Sequence, residues 1–305
     1  MNTVRTCCRF AFATLLAAGI LFPVGNARAE STLEKTLRQF NSDEAKGYIQ
    51  PFADFVGANM NAGFFHSAAI PAAGFHISFD IVGMGSSVGD GAKSYTAKAP
   101  TGFSPAEFTT ATIFGGKATV ISDARNPSIQ YRGVSDGIIN TSLFPLAAPQ
   151  LRIGSLFGTE ALIRFVYLPE MNALPKSTML TIGARHSVSQ YLADFPLDIA
   201  AGVFYSKYTS ENLIDVTGFA LGLQASRSFD ILTLYGGLES ESSKMNLKYS
   251  SSSPGAPPVI DLNLDGVNTL RFTVGAGVSL GIFGLFADAN FGSVTNFSGG
   301  ISFGN

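Results

Sequence analysis

Over its last 38 residues the chain alternates side-chain character in three successive runs, and that pattern restricts the solvent in which it can fold. From Leu270 the even positions are Leu270, Phe272, Val274, Ala276, Val278 and Leu280, while the odd ones are Thr269, Arg271, Thr273, Gly275, Gly277 and Ser279. After Gly281, Phe283, Leu285, Ala287, Ala289 and Phe291 oppose Gly284, Asp288, Asn290 and Gly292, with Phe286 as one exception. Then Phe297, Gly299, Ile301 and Phe303 oppose Asn296, Ser298, Gly300 and Ser302. A period of two belongs to strands, whose successive side chains point to opposite faces.

A soluble sandwich alternates too, but its polar face meets bulk water and is rich in Lys and Glu. Here that face is Gly, Ser, Thr and Asn with single charges, which suits a narrow interior. A transmembrane barrel has apolar residues toward lipid and small or polar ones toward the lumen, in segments of roughly ten residues joined by turns. The sequence therefore predicts an all-β chain, a transmembrane antiparallel β-barrel of about 12 strands, with a range of about 10–14.

The amino terminus agrees with export. Arg5 and Arg9 precede an apolar run from Ala11 to Phe22, and Ala27-Arg28-Ala29 forms a small-x-small cleavage site before Glu30, so residues 1–29 read as a signal peptide. The apolar run is shorter than the roughly 20 residues a membrane helix needs. Cys7 and Cys8, the only cysteines, would leave with it, so the mature chain would have no disulfide framework. Removal of Arg5, Arg9 and Arg28 lowers the basic count from 20 to 17 against 22 acidic side chains, a net charge of −5 that disfavours nucleic-acid binding. Charged residues are 14% of the chain, below the roughly 25% of soluble domains. Tryptophan is absent, so Tyr167, Tyr205, Tyr208 and Phe303 are the candidates for interfacial belts.

Residues 30–70 read as a separate helical segment, a candidate plug, and residues 71–305 as the barrel. Leu33, Leu37 and Phe40 recur at helical spacing, Asn41 with Glu44 fits a capping box, and Pro51 is placed to open a second helix. The apolar stretch Pro51–His66 suits a position at or inside the periplasmic mouth. Strands are expected at 74–83, 110–121, 137–146, 149–154, 159–168, 177–189, 197–208, 214–225, 231–249, 267–280, 282–292 and 295–303, with loops at 84–107 and 250–266. Short turns would face the periplasm and long loops the exterior.

By parity the lumen face includes Asp80, Arg164, Arg185, Asp198, Tyr235, Glu239, Arg271 and Asp288. Their mixed signs could line a polar path or orient a ligand's head group, but ion pairs satisfying one another are the favoured reading, since a buried charge must be paired whatever else it does. His186 near Ser187 and Ser189 evokes barrel lipases, but adjacent strand residues point opposite ways and cannot pair directly. No metal-ligand spacing, phosphate loop or nucleophile elbow occurs, so no catalytic residue, metal or cofactor is expected and the chain does not read as an enzyme.

The stretches GYIQPFADFVGANMNAGFFHSA (47–68), PQLRIGSLFGTEALIRFVYLP (149–169) and GARHSVSQYLADFPLDIAAGVFY (183–205) resemble a family of exported, uncharacterised bacterial proteins catalogued as a domain of unknown function, whose members are predicted outer-membrane barrels. An apolar helical segment ahead of a barrel also distantly resembles the long-chain fatty-acid transporter superfamily, although its Asn-Pro-Ala hatch signature is absent and no functional residue carries over. The resulting expectation is a cell outer-membrane barrel, in contact with outer-membrane lipid and inserted by the barrel-assembly machinery, which reads a terminal signal resembled here by Phe297, Ile301 and Phe303. It would pass a small or hydrophobic solute passively, with a hydrophobic small molecule as ligand; the alternative is a structural or adhesive barrel without transport.

Overall fold

The computed structural model describes residues 32–170, 175–192, 194–211, 213–252, 255 and 257–304. The expected signal peptide lies outside the described residues. The chain runs through two helices, α1 (Thr32–Leu37) and α2 (Ser42–Met60), and then into strands. Strand β1 (His76–Ser87) is followed by five short strands: β2 (Ser94–Lys98), β3 (Phe103–Ser104), β4 (Glu107–Ala111), β5 (Val120–Asp123) and β6 (Gln130–Arg132). The remainder are β7 (Leu143–Leu156), β8 (Thr159–Leu168), β9 (Ser177–Ser187), β10 (Asp198–Ser210), β11 (Ile214–Phe229), β12 (Leu232–Ser250), β13 (Val259–Asp265), β14 (Leu270–Leu280), β15 (Phe283–Phe291) and β16 (Asn296–Gly304).

Ten strands close a ring in the order β1, β7, β8, β9, β10, β11, β12, β14, β15, β16, and β16 pairs back onto β1 from Ser78↔Gly304 to Ser86↔Asn296. Every neighbour is antiparallel. Closure leaves no end strand with a whole row of unpaired backbone groups. The alternation in sequence becomes a two-faced wall: on β11, Val216, Ala220 and Gln224 are buried while Phe219, Leu221 and Leu223 are exposed. On β12 the exposed face changes along the strand, from Leu232, Leu234 and Leu238 to Ser240, Ser242, Lys244 and Lys248. The apolar belt therefore ends near residue 239, and β12 projects beyond it, paired there with β13 and β11.

One end of the barrel carries tight connections, including Phe157–Gly158 and the turn at Gly281, where φ values of 50°, 70° and 65° satisfy two-residue hairpins. The other end carries the two longest connections, 88–142 and 251–269, together with 169–176, while the longest at the first end is 188–197. We call these the short-turn end and the long-connection end.

Four expectations change. The ring has ten strands, the lower edge of the expected range and not twelve. Residues 110–121 divide between β4 and β5, which belong to small sheets outside the ring (β2–β4 and β3–β5–β6), so 88–142 is a structured connection. Residues 137–146 and 149–154 are not two strands: β7 runs through Pro145 and Pro149 without a break. Prolines normally end a ladder because they lack a donor, but the unbroken β1–β7 pairing across both places their nitrogens on the side away from β1. The expected loop 250–266 contains β13.

The helical segment also differs. Asn41 does cap α2, accepting from Glu44 N–H at 3.0 Å while Glu44 Oε2 accepts from Asn41 N–H at 3.1 Å. Pro51, however, lies inside α2 and does not open a new helix. The segment is not confined to the short-turn mouth that sequence would assign to the periplasm. Main-chain carbonyls of Arg38 and Phe40 bond Ser251 and Ser252 at the long-connection end, α2 descends from there, and residues 61–70 continue through the lumen to β1. The reason is chemical: α2 buries Tyr48, Ile49, Phe52, Phe55, Val56 and Met60 against the wall, and the projecting strands at that end supply the apolar inner surface.

Candidate functional site

The lumen is filled by the chain's own residues 55–70, and the wall holds them chiefly by their carbonyls. Arg271 Nη2 donates to Ala58 O at 2.8 Å, Arg164 donates to Ala62 O at 3.0 Å and Gly63 O at 2.9 Å, and Arg185 Nη1 donates to Ser67 O at 2.7 Å. An irregular segment in a lumen has no ladder for its backbone groups, so charged donors from the wall supply the missing partners. Aromatic rings fix the side chains: Phe64 stacks on Phe204 with centroids 4.0 Å apart, Phe65 meets Tyr235 edge-on, and His66 stacks on Phe286 at 4.5 Å. Asn59 donates to Phe144 O at 2.8 Å, and its own oxygen accepts from Ser86 at 2.8 Å and from Asn296.

Behind the arginines stand acids. Glu160 accepts from Arg185 Nε at 2.7 Å, Asp80 from Arg152 Nε at 2.9 Å, and Glu241 from Arg271 Nη2 at 3.0 Å. Asp80 also accepts from Ser78 and Gln150, both at 3.0 Å. Arg164 has no hydrogen-bonded carboxylate; it donates to Gln150 Oε1 at 2.7 Å and lies 5.0 Å from the centre of the Phe64 ring. Outside the strands, Asp54 of α2 accepts from Gln50 at 3.0 Å and from Val267 N–H at 3.1 Å, and burial pushes its carboxyl above the usual range.

Cavities border this plug among the described residues, and two of them flank its ends. One of about 530 Å³ lies at the short-turn mouth, bordered by His66, His76, Arg152, Glu160 and Asp198. The other, about 980 Å³, lies toward the long-connection end between α2 and the β7 region, and none of its lining residues is Asp, Glu, Lys, Arg or His.

A model described as a family of unknown function, DUF6588, matches residues 1–305, the whole chain. The chain belongs to this family. No curated protein matches the DUF6588 chain. Solved structures similar to it include OmpT, an outer membrane protein of Vibrio cholerae in trimer form, at 9% identity, with a TM-score of 0.29 over 76% of this chain and 100% of that one. A mutant of the Rh. blastica porin matches at 9% identity and a TM-score of 0.16 over 75% and 99%. OccK2 of Pseudomonas aeruginosa matches at 10% and 0.14 over 73% and 67%. With scores this low, the barrel assignment rests on the strand pairings of the DUF6588 chain itself. Nothing in these comparisons supports the fatty-acid transporter superfamily specifically.

Of the eight polar positions expected on the DUF6588 lumen face, Asp80, Arg164, Arg185, Tyr235, Glu239, Arg271 and Asp288 are buried, and Asp198 is half-buried at the short-turn mouth. The structure brings Tyr235 and Asp288 together, hydroxyl to Oδ2 at 3.0 Å, and sets Glu239 opposite Arg271 in register. It keeps Arg164 apart from the carboxylates. Sequence reasoning missed Arg152, Glu160 and Glu241. Parity alone would have found them, since Glu160 shares its face with Arg164, and Glu241 with Glu239. His186 bonds Thr159 Oγ1 at 2.8 Å, Tyr191 OH at 2.9 Å and Gln190 at 3.0 Å, while Ser187 turns inward and Ser189 bonds Ile199 O at 3.1 Å. Among the described residues no cluster of three or more His, Cys, Asp or Glu is placed to hold a metal.

Proposed function

We infer that this is an outer-membrane barrel that handles an uncharged hydrophobic solute and is not an open diffusion pore. The observation that carries the reading is the pairing of a filled lumen with a 980 Å³ cavity free of charged side chains at the long-connection end. A pore for ions would need a continuous wet path, and residues 61–67 cross that path. An apolar molecule needs only a desolvated pocket and an exit. On this reading the exposed belt of Phe219, Leu221, Leu223 and their neighbours contacts outer-membrane lipid, residues 1–29 are removed on export, and the assembly machinery recognises the strand ending Phe297, Ile301, Phe303. No enzymatic role is part of this reading.

The test has two parts. In planar bilayers the protein should show little steady conductance, and cells carrying it should take up an uncharged apolar dye faster than cells with an empty vector. Porin-like steady conductance together with dye uptake at vector level would sink the reading. A second reading, a structural or adhesive barrel, draws on the ordered 88–142 connection with its two small sheets. Deletion of 94–132 that left dye uptake intact but abolished surface attachment would favour it.

A further inference from the structure

Among the described residues, β7 and β8 are neighbours in the wall that do not pair along their length. The β7–β8 ladder covers Gln150↔Arg164 through Leu156↔Thr159. Above it, residues 143–149 of β7 pair with β1 alone, and residues 165–168 of β8 pair with β9 alone. The seam between them spans about 13 Å along β8, at about 3.3 Å per residue.

The sequence explains why it stays open. In an antiparallel strand, each residue turns its N–H and C=O to the same side, and that side alternates along the chain. Because Pro145 and Pro149 sit in an unbroken ladder to β1 yet cannot donate, their parity faces β8. On that edge only Ala147, between them, offers an N–H. Two of three donors are missing where β8 would dock. Directly below, Arg164 donates to Gln150 Oε1 at 2.7 Å and clasps the last pair shut.

The cavity and the seam coincide. The cavity reaches the seam at Pro145, Leu146 and Ala147 of β7 and at Leu168 of β8, with Val56, Phe144 and Tyr208 lining it from within. Outside, Phe165 and Tyr167 of β8 are 54% and 57% exposed, which puts the opening in the apolar belt and not among the polar residues beyond it. The phenol of Tyr208 is already engaged by Ser177 at 2.7 Å, and no charged side chain lines the pocket.

We propose that the β7–β8 seam is a lateral portal through which an uncharged apolar molecule passes between this cavity and the hydrocarbon of the bilayer. It rests on the reading of the barrel as a handler of apolar solutes, and it adds the route and the charge class. A carboxylate-bearing amphiphile is a poor fit, because no cation lines the cavity to pair with it.

The test measures uptake of N-phenyl-1-naphthylamine, an uncharged fluorescent aromatic, by intact cells carrying the full chain. Two variants separate the claims: Pro145→Thr with Pro149→Thr restores donors and lets the seam zip, and Val56→Trp fills the cavity without touching the seam. Retention of heat-modifiable gel mobility shows that each is folded. Both variants falling to vector level supports the portal. Val56→Trp falling while the double threonine variant keeps wild-type uptake overturns the portal and leaves solute handling intact. Wild type no faster than vector overturns both. Should the threonine variant not fold, Ala147→Cys with Tyr167→Cys places a pair opposite one another in the continued register, in a chain whose only other cysteines are Cys7 and Cys8. Uptake lost on oxidation and regained with reductant supports the portal, and uptake unchanged in either state overturns it.

Discussion

Phe64→Ala tests whether the lumen segment is a separable plug. The ring is 1% exposed, stacked on Phe204 at 4.0 Å and beneath the Arg164 guanidinium at 5.0 Å. Truncating a buried Phe to Ala costs about 3–5 kcal/mol, including the cavity left behind, and an aromatic pair contributes about 0.5–1.5 kcal/mol of that. If residues 61–67 leave the wall as a unit while the strands remain paired, the whole loss falls on the seated state. At about 1.4 kcal/mol per tenfold, the released population rises roughly a hundredfold to three-thousandfold. The segment stays tethered by α2 above and β1 below, so the opening should be partial. Single-channel recording in planar bilayers would register frequent low-conductance events in the variant that are rare in wild type, with the outward-facing Phe291→Ala as a control. A variant that unfolds earlier on heating yet opens no more often would refute the argument, because the segment would then be part of the barrel's cooperative core and not a plug.

Asp80→Asn leaves Arg152 buried without its nearest carboxylate, and the loss should be about 3 kcal/mol, the low end for a broken buried pair, because Glu160 stands 3.9 Å from the same guanidinium. Because the chain has no tryptophan, urea unfolding from lipid vesicles should be followed by circular dichroism or gel mobility. Leu221→Arg, on the exposed belt, should destabilise by about 2–4 kcal/mol, whereas Ser250→Arg beyond the belt should stay within about 0.5 kcal/mol; equal effects would refute the placement of the belt edge. In the 88–142 connection, Asp136 accepts from Ala118 N–H at 2.7 Å and from Arg132, and these donors hold its carboxyl below the ordinary range. A lowered carboxylate pKa stabilises above the unfolded value of about 3.9 and is lost as pH falls through the folded one. Proteolysis within 117–136 should therefore appear only below roughly pH 4 and vanish on return to neutrality.

The parts of the fold that sequence revealed are those that a two-faced closed wall imposes. Phe272, Val274 and Ala276 against Arg271, Thr273 and Gly275 must alternate because the two faces meet different media, and the same rule placed Arg185 and Arg271 inside. The Asn41–Glu44 box was equally legible, since capping is a local bargain between two side chains and two amides. Legibility failed where a residue's usual meaning reversed. Pro145 and Pro149 read as terminators but lie mid-strand, with their missing donors turned to an edge that no strand covers. The seating of the plug left no trace, because Arg164 and Arg185 bind the carbonyls of Ala62, Gly63 and Ser67, and every residue has a carbonyl.

The path of the amino-terminal segment sets an order of events in assembly. α1 lies at the mouth opposite the start of β1, so the chain passes through the ring as a cord through a bead. Once the lower part of α2 and residues 61–70 are seated, wall side chains grip them closely, so drawing the rest of α2 and α1 through a closed ring would mean breaking those contacts. The β1–β16 pairing, which joins residues more than two hundred positions apart, therefore has to close around a segment already in place. Arg164, Arg185 and Arg271 would reach that moment as cations awaiting partners, and the carbonyls they find form a template on which the last stave is fitted.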